Sequence, residues 1–207
     1  MTASARERAA LVETLRIVGP DAPTLCGDWT TQDLAAHLVV RERRPDAAVG
    51  IAVPALAAYT ARVQHRVSSG TDWNGLIDMV ASGPPIYSPF KLLDPLVNTA
   101  EMFIHHEDVR RAQPDWAPRE LDAGLAATLR RMLPLMSRLT LAGAPAHVTL
   151  RDPDGATLAA FGRGPAVVIT GAPPELLLFV SGRDAVRLNF TGDPNTVADV
   201  RAARRSL

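Results

Sequence analysis

Asn98-Thr99-Ala100-Glu101-Met102-Phe103-Ile104-His105-His106-Glu107-Asp108-Val109-Arg110-Arg111-Ala112 is the stretch on which the fold turns. Upstream, Asp94-Pro95 reads as a helix start, Asp as N-cap and Pro at the first helical position, and Pro114 ends the segment. On such a helix Glu101 and His105 are neighbours one turn apart, and Val97 and Ile104 share their face. The pair therefore points toward a core. A helical core excludes an unpaired carboxylate, because burying a lone charge is expensive. Two solutions stay open: a divalent cation, for which Glu and His are a usual ligand pair in bundles, or an ion pair with one of the many arginines. His106 lies about 100° around the helix from His105 and cannot easily serve the same ion. Glu107-Asp108 with Arg110-Arg111 reads as a solvated, ion-paired helix face, with Asp108 alternatively supporting a ligand imidazole from behind.

Upstream, Thr30-Thr31-Gln32-Asp33 has the pattern of a capping box and opens a helix that stops before Pro45. Leu34, His37, Leu38 and Arg41 share one of its faces, which turns a second histidine inward. One inward histidine is more often a hydrogen-bonded core residue than a ligand. With Glu101 and His105, however, His37 completes a His2Glu set with one open position, the make-up of a catalytic zinc site. His65 falls in a solvated segment beside Arg66, and His147 begins a strand. Cys26, just before the His37 helix, is either a small apolar loop residue or a fourth ligand that would close the site.

Other helices are expected from Ser4 to Val18, closed by Gly19-Pro20, from about Pro54 to Val67, and from Thr71 through Val80. Gly83 to Pro89 is a break. Pro118 to Leu141 reads as the last long helix, with Leu121, Leu125, Leu129, Met132 and Met136 as its stripe and a kink at Pro134. After Gly143 the period changes. His147 to Leu150 and Thr157 to Phe161 form a hairpin about Asp152-Pro153-Asp154-Gly155, and Val167 to Ile169 is a strand. Pro173 to Val180 is a helix, Val186 to Phe190 a strand, and a terminal helix follows Gly192-Asp193-Pro194. The expected fold is a four-helix bundle over residues 1–142 and a small α+β domain over 143–207.

Composition narrows the function. The 207 residues are 47% hydrophobic, so the chain is globular. Lys plus Arg and Asp plus Glu are equal at 22 each, leaving no positive excess for a nucleic-acid footprint. Lys91 is the sole lysine, a bias toward Arg that suggests a high-GC bacterial genome. Cys26 is the sole cysteine, which excludes an internal disulfide. With no leader-like stretch and no apolar run near the ~18 residues of a membrane span, a cytoplasmic protein without membrane association is expected. No Walker loop, dinucleotide fingerprint, Cys-x-x-Cys or Gly-x-Ser-x-Gly elbow occurs.

Cys26-Gly27-Asp28-Trp29-Thr30-Thr31-Gln32-Asp33-Leu34-Ala35-Ala36-His37-Leu38 resembles the opening motif of the mycothiol-dependent maleylpyruvate isomerase family, part of the DinB-like superfamily of metal-binding four-helix bundles. The Asn98–Ala112 stretch is similar to that family's second motif. Gly171-Ala172-Pro173-Pro174-Glu175-Leu176-Leu177-Leu178-Phe179-Val180-Ser181-Gly182-Arg183 looks like the signature of its C-terminal, sterol-carrier-like α+β domain. The nearest branch is an actinobacterial group of metal-binding proteins. The resemblance implies a divalent metal, zinc or in its place nickel or iron, on His37, Glu101 and His105. It also implies mycothiol or a similar small thiol at the open position and a small electrophilic substrate, in an isomerase or a thiol transferase that is a monomer or homodimer. No substrate-contacting residues carry over. The alternative is a non-enzymatic metal-binding or stress-response protein with the same bundle.

Overall fold

The computed structural model describes residues 2–91, 95–141 and 143–203. Asp94, expected as an N-cap, lies outside them. Internal contacts divide the chain into two units, one up to Ala117 and one from Pro118 onward.

The first unit is helical: α1 (Ala3–Val18), α2 (Thr31–Arg43), α3 (Pro45–Ala52), α4 (Ala57–Gly70), α5 (Trp73–Ser82) and α6 (Pro95–Arg111). Thr2 caps α1, and Gly19, at φ +80°, ends it where a side chain would be strained. The capping box of α2 forms as read: Thr30 Oγ1 accepts from the Asp33 amide and Asp33 Oδ2 accepts from the Thr30 amide. Pro45 was expected only to stop α2, but it also opens α3 at the first-turn position, where its missing N–H costs nothing. The helix expected from Pro54 begins at Ala57, after a 3-10 turn over Pro54–Leu56.

α1 packs on α6, and α2 packs on α4 and α5. Leu11, Leu15, Leu34, Leu38, Leu76 and Met102 are among the side chains fully withdrawn from water in this core. α2 and α6 are its inner helices, buried without a break from Leu34 to Glu42 and from Met102 to Val109. The charged groups of α6 are therefore not a solvated face. Glu107 and Asp108 are 0% exposed and Arg111 3%. Their burial is tolerated because each has partners: Glu107 accepts from Arg110 and Arg111, and His106 lies between Glu7 and Thr14 of α1. Arg8 similarly ties α1 to α2 and α5, donating to both carboxylate oxygens of Glu42 and to the Val80 carbonyl.

The second unit holds α7 (Ala123–Leu141), β1 (His147–Arg151), β2 (Thr157–Phe161), β3 (Ala166–Thr170), α8 (Pro173–Val180), β4 (Asn189–Gly192) and α9 (Pro194–Ala202). The sheet runs β2-β1-β3-β4, with β1 and β3 parallel and both outer pairs antiparallel. The β1–β2 hairpin forms as expected, with Gly155 at φ +89° in its turn. The strand read from Val186 begins only at Asn189, because the Arg187 amide donates to the buried Glu175 carboxylate, 2.7 Å away, instead of to a neighbouring strand. The helix read from Pro118 starts at Ala123, where Asp122 Oδ1 accepts the amides of Gly124 and Leu125. α7 packs on α8 and β2, so this helix, assigned to the bundle by a boundary at 142, groups with the sheet. α8 is buried from Glu175 to Val180 and supplies the apolar surface that α7 covers.

Candidate metal centre

The capped α2 and the inner α6 bring His37, Glu101 and His105 together, the three residues that the helical reading turned inward. His37 Nε2 is 3.9 Å and His105 Nε2 is 3.2 Å from the same oxygen, Glu101 Oε1. All three donor atoms lie within 4.8 Å of one another. The imidazoles meet edge to face, ring centres 5.3 Å apart.

The opposite ring nitrogens are held by acceptors. His105 Nδ1 is 2.9 Å from Asp108 Oδ2, and His37 Nδ1 is 3.4 Å from Gln64 Oε1 of α4. An acceptor behind Nδ1 places a proton there and directs Nε2 to the front, as in the outer shell of metal-bound histidines. Zinc bonds of about 2.0–2.1 Å put tetrahedral donors roughly 3.4 Å apart, and the two distances to Glu101 bracket that spacing. The donor set fits a divalent ion.

The arginine solution is realised in the same cluster. Arg41 Nε is 3.2 Å from Glu101 Oε1. Both terminal guanidinium nitrogens lie 3.5 Å from Asn98 Oδ1, and the group stacks 4.4 Å over the Phe90 ring. Burial alone would raise the Glu101 pKa, but His105, His37 and Arg41 around it hold it well below the usual carboxylate range. Burial alone would lower His105, yet Asp108, Cys26 and Glu101 push it well above its ordinary value. Burial dominates at His37 and pushes it down.

Cys26 Sγ donates to Asp108 Oδ2 over 3.1 Å, and Cys26, His105 and Asp108 form a second convergent group. Its separations of 2.9 and 3.1 Å are hydrogen-bond lengths. A zinc-bound thiolate and carboxylate, with Zn–S near 2.3 Å, would stand about 3.6 Å apart. The thiol meets the Asp108 oxygen that holds His105 Nδ1, whereas His105 Nε2 faces Glu101.

His37 also forms the inner wall of a cleft of 430 Å³ lined by Trp29, Asp33, Thr60, Gln64 and His65 among others. The Trp29 ring lies 5.1 Å from the His37 ring. His65 is exposed, as expected, but faces this cleft. Sequence reasoning gave no role to Gln64 or Trp29, and it placed Arg41 beside His37 without pairing it to Glu101. Gln64 lies in an Ala-rich segment whose weak periodicity gives no helix phase, so no signal marked it.

No family model matches the chain, and no curated protein matches it by sequence. Two solved structures do match its fold. They are the crystal structure of a mycothiol-dependent maleylpyruvate isomerase and that of a histidine-to-alanine mutant of the same enzyme. Each superposes with a TM-score of 0.54 over 91% of this chain and 90% of that one, at 17% identity. At that identity the likeness is one of fold.

Proposed function

We propose that the chain holds one divalent metal ion, zinc or in its place nickel or iron, on His37, Glu101 and His105. The ion would activate a small thiol, mycothiol or similar, toward a small electrophilic substrate, making the protein an isomerase or thiol transferase. One observation carries this reading: two imidazoles, each tied at Nδ1, turn Nε2 toward one carboxylate oxygen, and one of the two, His37, lines a cleft. The fold likeness to an enzyme described as mycothiol-dependent supports it.

The ion would supply Lewis acidity, lowering the pKa of a thiol at the open position into the neutral range. The residues of the chain prepare that position. Asp108 fixes the His105 tautomer and raises its basicity as a donor, and Gln64 orients His37. The cleft volume, 430 Å³, lies within the range of small-molecule sites, and Trp29 gives it an aromatic wall beside His37. Cys26 donates to Asp108, and in this reading the nucleophilic sulfur is that of the external thiol. A second reading, a metal-binding or stress-response protein without catalysis, is favoured by Arg41, which offsets the Glu101 charge with no ion required.

Cobalt substitution separates these readings. A thiol-accepting site develops a thiolate charge-transfer band when 2-mercaptoethanol or mycothiol is added, in the wild type and in Cys26→Ala alike. His105→Ala loses stoichiometric metal, whereas His106→Ala keeps it, since His106 serves α1. Release of metal by Cys26→Ala, with no response to thiol, would remove the chemical basis of the enzyme reading.

A further inference from the structure

Arg41 is the arginine in contact with Glu101, and it is 5% exposed. Two carboxylates belong to the same cluster, Glu101 in front of His105 and Asp108 behind it. A third, Asp33, stands one turn before His37 and lines the cleft, accepting from Thr30 and Ser68. With Glu101 and Asp108 ionised and both imidazoles neutral, a divalent ion on the three ligands would be cancelled by these two carboxylates, and Asp33 in the cleft would add a further negative charge. A cancelled ion attracts an anion weakly. Arg41 changes that balance by one unit, at a place where water screens little.

We infer that Arg41 is the residue that makes the loaded site anion-accepting: its fixed charge, beside Glu101 but outside the ligand set, draws a thiolate or another small anion to the open position on the ion. Its placement is firm. Asn98 accepts from the guanidinium fork, and Phe90 covers its face, so the charge cannot swing away when Glu101 engages a metal. The inference rests on the metal reading above and adds to it a direction of effect. A cation 3.2 Å from a ligand oxygen repels a dication as well as attracting an anion. Arg41 therefore weakens metal binding while strengthening anion binding. A side chain that only propped Glu101 in place would strengthen both.

The opposite signs make the test. Cobalt-loaded wild type, Arg41→Gln and Arg41→Lys are titrated with azide, a small anion that needs no substrate pocket, and cobalt affinity is measured on the same proteins. In Arg41→Gln, cobalt binds at least as tightly as in wild type while azide affinity falls by about tenfold or more. Arg41→Lys, which restores the charge, recovers most of the azide affinity. Should Arg41→Gln fail to fold, Asn98→Ala, which frees the guanidinium, lowers azide affinity by a smaller factor with cobalt retained. Azide affinity within twofold of wild type in a cobalt-loaded variant overturns the inference. So does a parallel loss of cobalt and azide, which would make Arg41 a structural support. Wild type that takes up no cobalt overturns the metal reading itself, a result distinct from either.

Discussion

At His105 two effects of burial compete. Loss of water disfavours the imidazolium, yet Asp108 on one nitrogen and Glu101 on the other raise its pKa well above the ordinary histidine value. At neutral pH the metal-free protein therefore carries a proton there that a metal must expel, whereas His37, with its pKa lowered, is already neutral. The sign follows from this difference. The raised pKa stabilises the metal-free fold fully below the unfolded value, and that contribution is lost as pH rises through the folded value. Metal affinity runs the other way, rising with pH by up to about tenfold per unit until His105 is deprotonated. Titrations of metal at a series of pH values, with proton release read from two buffers of different ionisation heat, check this. An affinity independent of pH between 6 and 8 would show that His105 gives up no proton to the ion.

Among the elements, α1, α2 and α6 are locked by charges that no periodicity could reveal. Arg8 and Glu42 are both buried and face each other with two hydrogen bonds, and Arg8 also reaches the Val80 carbonyl at the end of α5. Removing one partner strands the other, so Arg8→Met destabilises the protein by about 3–5 kcal/mol, while Arg8→Met with Glu42→Leu recovers most of the loss. Urea unfolding measures both, and a single-variant loss under about 1 kcal/mol would mean that the pair is hydrated. The same pair shows what was legible in the sequence. α2 was legible because Thr30 and Asp33 satisfy its first amides locally, and the β1–β2 hairpin because Gly155 marks its turn. The inward turn of His37, Glu101 and His105 was legible from their spacing against Leu34, Leu38 and Ile104. The burial of Glu107, Asp108 and Arg111 was not. α6 is enclosed nearly all round from Met102 to Val109, so its polar positions pair with one another, with the Cys26 loop and with α1, and leave no stripe to read. α3 escaped notice because Ala47, Ala48 and Gly50 are its buried positions among the described residues, and such small residues signal burial weakly.

The whole chain forms two units, and every residue of the candidate centre belongs to the first, drawn from α2, α4 and α6. An amphipathic helix shows the same period whether it covers helices or a sheet, so nothing in Ala123–Leu141 announces α8 and β2 as its partners. Among the described residues no helix is long and apolar enough to cross a membrane. The fold likeness to the isomerase spans both units, and the chemistry proposed rests on the cluster within one. Anomalous diffraction at the absorption edge of the ion, from crystals grown with one equivalent of zinc, tests that cluster most directly. The account predicts a single peak bonded to His37 Nε2, His105 Nε2 and the Glu101 carboxylate, with Asp108 still on His105 Nδ1 and Cys26 outside the bonded set. A peak held by Cys26 and Asp108, or none at all with Glu101 still paired to Arg41, would contradict it.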